Sequence, residues 1–170
     1  LLDLPLPVLP GPHQIDNAGT ALAVLRQLGT NEDACAAAMT GADWPARMQR
    51  LTEGPLVDAL RPAELWLDGG HNPAAGTALS ETLRALPPRP THLVCGMLNT
   101  KDVTAYLRPL AQVTDSLTAI TIPETEATLT AEDTATHARR AGFAAVDTAP
   151  DLQAALSRVH ASAPDARILI

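Results

Sequence analysis

At 170 residues and 46% hydrophobic content, the chain suffices for one well-buried domain and part of a second. Its formal charge of −7 and its 2% aromatic content exclude a nucleic-acid surface, which needs clustered cations and stacking rings. The opening stretch Leu1 to Pro10 is apolar, but it carries Pro5, Pro7 and Pro10 and no basic leader. It is too short and broken for a signal peptide or membrane span, so a cytoplasmic setting without membrane contact is expected.

From Gln14 to Leu28 the residues Ile15, Ala18, Leu22, Leu25 and Leu28 recur at helical spacing, and Gly29 is placed to end that helix. Asn31 or Asp33 opens a short alanine-rich helix that runs through Met39, followed by a loop from Thr40 to Pro55. Beyond it the pattern becomes regular. Strands are expected near 64–68, 92–97, 117–122, 143–147 and 167–170, alternating with helices near 73–86, 101–110, 130–141 and 151–160. The helices carry apolar stripes: Leu79, Leu83 and Leu86; Val103, Leu107 and Leu110; Leu152, Leu156 and Val159. Strict alternation predicts an α/β fold with a mainly parallel, doubly wound sheet and helices on both faces. A boundary near residues 40 to 45 is expected, with residues 1–40 belonging to a neighbouring domain. The chain does not begin with methionine and ends on a strand with no turn after it, so it reads as a piece of a longer protein. Cys35 and Cys95 are expected as reduced packing residues.

The most informative segment is Leu65 to Gly76, an apolar strand, a two-glycine turn bearing Asp68 and His71, and a helix start. Asn72 can cap the helix and Pro73 fits its first position. The free amides of that first turn are expected to point into the crevice beyond the strand's carboxyl end, a place that favours a phosphate or carboxylate. Asp68 either accepts hydrogen bonds from ribose hydroxyls or only braces the turn. His71 suits proton handling or the orientation of a charged group, or is a bland surface histidine. Lys101 is the only lysine beside eleven arginines, and is either kept for its compact ammonium or simply solvated in a first helical turn. Arg47, stiffened by Pro45, can offer its planar fork to phosphate oxygens or do nothing. Asn17 can read a base edge or help cap its helix. No Gly-x-x-x-x-Gly-Lys-Ser/Thr loop or Gly-x-Gly-x-x-Gly turn occurs, so the nucleotide site is incomplete. Without a Gly-x-Ser-x-Gly elbow or a His-Glu-x-x-His pair, stand-alone hydrolase and zinc-protease readings fail.

Four segments, taken in order, resemble the C-terminal half of the folylpolyglutamate synthase / dihydrofolate synthase family, a branch of the Mur ligases. They are Gly11-Pro12-His13-Gln14 with Asn17-Ala18, Trp44-Pro45-Ala46-Arg47-Met48-Gln49, Leu67-Asp68-Gly69-Gly70-His71-Asn72-Pro73, and Gly96-Met97-Leu98 with Lys101-Asp102. The resemblance implies that residues 1–40 are the tail of a central ATPase domain and that 41–170 form a Rossmann-like C-terminal domain. It implies an ATP-dependent ligase in which a folate or pteroate carboxylate is phosphorylated and L-glutamate attacks the acyl phosphate, with Mg2+ clamping the phosphates. By position Asn17 would contact adenine, Arg47 the phosphates and Asp68 the ribose; His71 would face the reacting centre and help position substrate, and Lys101 would lie in a loop near the cleft on the substrate side. The resemblance names no metal ligand in this chain, and its partner is the rest of the same polypeptide, without which no turnover is expected. Ala46 stands where the family usually has glycine, Pro12 replaces a frequent arginine, and Thr100 stands where aspartate commonly precedes the lysine. The alternatives are a module of another Mur-type amide ligase and a non-catalytic domain that binds a nucleotide or carboxylate.

Overall fold

The structure, a computed structural model, describes residues 3–170, so the first two residues of the opening stretch and of the expected 1–40 segment lie outside the described residues. The amino-terminal part is helical. Helix α1 (Pro12–Gln27) starts after Gly11 at φ 114° with proline at its first position, and it ends at Leu28 with Gly29 at φ 77°. The amide of Thr30 reaches back to the carbonyl of Leu25, closing the end as the glycine predicts. Asn31 caps α2 (Glu32–Gly41), its Oδ1 accepting from the amide of Ala34 at 2.8 Å. The expected stripe on α1 does not become a core face: Ile15 is 55% and Leu28 74% exposed, and the helix buries only Gln14. The helix packs chiefly against α2 and α4, which half-bury Ala18, Leu22 and Leu25 and leave the two ends of the stripe uncovered.

The expected loop from Thr40 to Pro55 contains a short strand, β1 (Gln49–Leu51), and helix α3 (Pro55–Ala59) begins at its last residue. Three residues, two of them exposed, are too few to show a period, which is why the strand is invisible in the sequence. Then follow β2 (Glu64–Leu67), α4 (Pro73–Ala85), β3 (Thr91–Cys95), α5 (Val103–Leu110), β4 (Ser116–Ala119), α6 (Ala131–Ala141), β5 (Val146–Thr148), α7 (Leu152–Ser162) and β6 (Arg167–Leu169), each within three residues of its expected ends. Of the two three-residue shifts, at the end of β4 and the start of β5, the second has a local cause. Gly142 takes a left-handed cap after α6 and the amide of Phe143 returns to the carbonyl of Ala138, so buried Phe143 completes the helix end rather than starting β5.

The six strands run in the order β1-β2-β6-β3-β4-β5, and only β1 is antiparallel to its neighbour. The last strand inserts between the second and third, so the chain direction across the sheet reverses there. Side chains alternate accordingly: Trp66, Leu93, Leu117 and Leu169 face α4, α5 and α6, whereas Leu65, Val94 and Ile168 face α3 and α7. This is the α/β architecture that the alternation predicts. Among the described residues no helix is long and apolar enough to cross a membrane. Helices α4 and α5 meet at Gly76, where a Cβ would collide with the carbonyl oxygen of Tyr106.

At the amino ends of the strands, Arg167 is only 3% exposed. Its Nη2 donates to the carbonyl of Pro87 at 3.0 Å and its Nε lies 3.4 Å from Oε2 of Glu64. Glu64 also accepts from Trp66 Nε1 and from Arg50 Nη2, and the Arg50 guanidinium lies over the Trp66 ring. Burial alone would raise the Glu64 pKa, but the Trp66 hydrogen bond and the guanidinium groups of Arg50, Arg89 and Arg167 outweigh it and hold the carboxyl below its usual range.

Candidate functional site

The opposite edge of the sheet carries the residues singled out by sequence. Asp68 follows β2, and both its oxygens are engaged by backbone: Oδ1 accepts from the amide of Gly70 and Oδ2 from the amide of Met48, each at 2.7 Å. The bracing role is therefore real. A carboxylate offers about four lone-pair positions, so two accepted bonds leave capacity for a ligand. The amide of Gly69 donates to the carbonyl of Ala46 at 2.9 Å, and the amide of Ala46 to Oε1 of Gln49. Asp68 and the Gly69-Gly70 turn thus clasp the segment 46–49, in which Ala46 and Met48 take positive φ values of 57° and 44°. Gly70 has no room for a side chain, since a Cβ would lie 2.9 Å from Asp68 Oδ1 and 3.1 Å from Leu79 Cδ1.

Helix α4 begins as its sequence predicts, with Asn72 Oδ1 accepting from the amide of Ala75 at 2.9 Å and Pro73 at the first position. The amide of Gly76 returns to the carbonyl of Asn72. Of the first-turn amides expected to be free, the cap leaves that of Ala74 without a partner among the described residues. The His71 ring is exposed, and its Nδ1 lies 2.9 Å from the carbonyl oxygen of Gly69. Because a carbonyl only accepts, Nδ1 carries a proton, and in the neutral ring Nε2 then offers a lone pair. Arg47 lies over the Gly69 turn, one Nη donating to the carbonyl of Ala46 at 3.3 Å, and is otherwise exposed.

These residues share one cleft of about 340 Å³ between α1, the 46–49 segment and the amino end of α4. Asn17, Arg47, Asp68 and His71, drawn from three separated segments, all line it, together with His13, Gln14, Asn72 and Ala74. Lys101 does not. It sits in a turn pinned by the pairing of Leu98 with Thr128 and by the bond from the amide of Asn99 to the carbonyl of Ala127, and it lines neither this cleft nor its neighbour. Asp102 beside it caps α5. His13 and Gln14 belong to the motif quoted above, yet their part in the wall was not assigned. Gln14 stands one turn before Ala18 on the side of α1 that also carries Leu22 and Leu25, and a lone polar residue on that side gives no sequence signal of its burial.

A second, largely apolar cavity of about 570 Å³ lies over the carboxyl ends of β2, β6, β3 and β4 and shares Asp68 and Gly70 with the first. Burial pushes the Cys95 thiol on its floor up to about 12. The Tyr106 phenol is raised well above its ordinary value, by burial first and then by the charges of Cys95 and Asp68. Both groups stay protonated at neutral pH, so neither supplies a nucleophile. Cys35 and Cys95 are buried free thiols, as expected. Among the described residues no group of three or more His, Cys, Asp or Glu side chains is placed to hold a metal ion.

As a whole the chain is similar to known proteins. Residues 46–170 match the family model described as Mur ligase, glutamate ligase domain. A relative from Halobacterium salinarum, named a probable bifunctional folylpolyglutamate synthase/dihydropteroate synthase, is 37% identical over 98 residues, which are 57% of this chain and 11% of that protein. Among solved structures, E. coli FolC in complex with DHPP and ADP superposes with a TM-score of 0.79 at 30% identity, covering 99% of this chain and 37% of FolC. The bifunctional folylpolyglutamate synthase/dihydrofolate synthase from Yersinia pestis complexed with AMPPNP and Mn ion gives a TM-score of 0.78 at 27% identity, covering 100% of this chain and 38% of that one.

Proposed function

The chain belongs to the Mur ligase family, through its glutamate ligase domain, and from that membership we propose that it serves a folylpolyglutamate synthase / dihydrofolate synthase, working in the cytoplasm as part of a longer polypeptide whose central ATPase domain includes residues 1–40. Residues 41–170 are then the C-terminal domain. The reaction couples two displacements: an oxygen of the folate or pteroate carboxylate takes the terminal phosphoryl group of ATP with loss of ADP, and the amino nitrogen of L-glutamate then displaces phosphate from the acyl carbon to leave an amide.

One observation carries this reading, the convergence of Asn17, Arg47, Asp68 and His71 on a single cleft at the start of α4. In it the Arg47 fork and the free Ala74 amide bind phosphate oxygens, at a helix end whose dipole favours negative charge. The unused lone pairs of Asp68 take the ribose hydroxyls, and Asn17 meets the base. His71, its Nδ1 proton spent on Gly69, turns an accepting Nε2 to the incoming amino group and so helps to orient it. Among the described residues Asp68 is the one carboxylate lining the cleft and already holds two amides, so the magnesium ion that the family's chemistry uses would draw its other ligands from the phosphates and the rest of the polypeptide. Lys101 is left on the substrate side of the complete enzyme, outside the cleft formed here.

In the complete polypeptide, Asp68→Ala should raise the KM for ATP by about tenfold, the scale of a hydrogen bond to a charged group. Unchanged ATP kinetics would leave this carboxylate as a turn brace alone. His71→Ala should lower kcat more than it changes KM, and equal turnover would return it to a surface role. A polypeptide that holds ATP yet forms no glutamyl amide with either pterin substrate would replace the ligase with a binding module.

A further inference from the structure

We propose that Gln49 is a positioning residue that closes the 46–49 turn from the strand side and so keeps the Arg47 guanidinium at the phosphate end of the cleft; the inference rests on the nucleotide reading above. Gln49 opens β1, opposite Leu67 of β2, and does not line the cleft. Its exposed side chain reaches back to the amide of Ala46, which donates to Oε1 at 3.1 Å. A backbone amide only donates, so this contact needs an accepting oxygen and fixes which end of the Gln49 side chain faces the turn. Two further ties come from the β2–α4 junction: the Gly69 amide donates to the Ala46 carbonyl at 2.9 Å, and the Met48 amide to Asp68 Oδ2 at 2.7 Å. Of the three, only the tie from Gln49 is made by a residue outside the cleft.

Arg47 stands between these ties. Its side chain is exposed, and among the described residues it makes one hydrogen bond, to the Ala46 carbonyl at 3.3 Å, and no ion pair. It nevertheless lies close over the turn, since a Cβ on Gly69 would come within 3.3 Å of Arg47 Nη1. The guanidinium is therefore aimed by the backbone that carries it. That backbone is strained on both sides of Arg47, with Ala46 at φ 57° and Met48 at φ 44°. Residues keep such angles only where their surroundings over-determine them. Met48 has two constraints, burial at 2% exposure and the bond to Asp68. Ala46 is half-buried, and without Gln49 only its carbonyl would stay anchored, so the residue could swing out of the left-handed region and carry Arg47 away from the cleft. Gln49 thus acts on the phosphates through Arg47, without touching them.

The test reads the KM for ATP and kcat separately in the complete polypeptide. Arg47→Ala should raise that KM. Gln49→Leu, which keeps most of the side chain's bulk but accepts no hydrogen bond, should raise it roughly fivefold with little change in kcat, the scale of one hydrogen bond. A role confined to folding would instead reduce the active fraction, and with it the apparent kcat, and leave KM where it is. In an Arg47→Ala background the Gln49→Leu change should add nothing, since Gln49 acts through Arg47. Gln49→Glu, which keeps an accepting oxygen at the same reach, should restore a KM near that of the wild type. An unchanged KM in Gln49→Leu, an equal rise in both backgrounds, or an equal rise in Gln49→Glu overturns the proposal. If Gln49→Leu does not fold, Gln49→Met decides by the same readings. An unchanged KM in Arg47→Ala would take Arg47 off the phosphates and bring down this inference with that part of the nucleotide reading, whereas a rise there beside none in Gln49→Leu would overturn the inference alone.

Discussion

At the amino ends of β2, β6 and β3 a charged group is consumed entirely by the fold, whereas at the carboxyl ends of the same sheet charged groups are held with capacity to spare. Arg167, 3% exposed, spends its guanidinium on Glu64, on the Pro87 carbonyl and at the margin of reach on Thr91, while Glu64 collects Trp66 and Arg50 besides. Asp68 instead accepts two backbone amides and keeps two lone-pair positions, Arg47 makes one weak contact to a carbonyl, and His71 keeps Nε2 free. Strain follows the same division, since Ala46 and Met48 hold positive φ at the carboxyl edge. One end is closed on itself. The other is preorganised but unsatisfied, which is what a binding edge requires.

The largest effect that separates the two ends is expected from Arg167→Leu. Removing this buried guanidinium leaves the Pro87 carbonyl without its donor and takes one of the partners of Glu64, and costs about 1–3 kcal/mol, the scale of buried polar groups left unpaired. Urea unfolding of the 170-residue chain should show a lower midpoint of that order. ATP affinity of the variant that remains folded should not move, because the amino edge does not touch the cleft. A shift in ATP affinity without a loss of stability would erase the distinction.

A smaller effect, of opposite sign, is expected at the strained edge. Ala46→Gly relieves a left-handed backbone that costs a residue with a Cβ roughly 1–2 kcal/mol, and loses part of that through the freer unfolded chain. A net gain of about 0.5–1 kcal/mol in the same unfolding measurement is the outcome. It would explain why glycine is the family's usual residue where this chain has Ala46 at φ 57°. A loss of stability would mean that the clasp by Gly69 and Gln49 depends on the methyl group.

Legibility divided along lines of sequence distance. Asn72-Pro73 announced the start of α4 because a cap and a first-turn proline act within three residues, and the alternating strands and striped helices announced the sheet because each carries its own period. The brace at Asp68 was legible only as an alternative, since its partner Met48 lies 20 residues away on a segment whose strand β1 has no period to read. The stripe on α1 was right about the side and not about its extent: periodicity reports which face is apolar, not how far it is covered, and Ala18, Leu22 and Leu25 are half-buried beside buried Gln14 while Ile15 and Leu28 stay exposed. Four of the five candidate site residues, Asn17, Arg47, Asp68 and His71, line one cleft; Asp68 and His71 stood out from their place beyond a strand end and before a helix start, whereas Asn17 and Arg47 rested on the resemblance. Lys101 was singled out by its rarity in the composition, a signal with no spatial content, and it is the one that the cleft does not include.

The smallest expected effect is a dependence on acidity confined to the closed end. Glu64 has its carboxyl held below the usual carboxylate range because one hydrogen bond and three guanidinium groups favour its charged form more than burial disfavours it. A group whose folded pKa is depressed adds stability that is present in full above its unfolded value and is lost as the pH falls through the folded one. Unfolding midpoints should therefore be level above about pH 5 and decline below it. In Glu64→Gln the plateau should be lower and the acid limb shallower, because a neutral amide neither gains from the guanidinium groups nor loses by protonation. Equal acid limbs in the two proteins would show that the charge on Glu64 does not matter to the fold, and that the amino edge is held by Arg167 and its carbonyl partner alone.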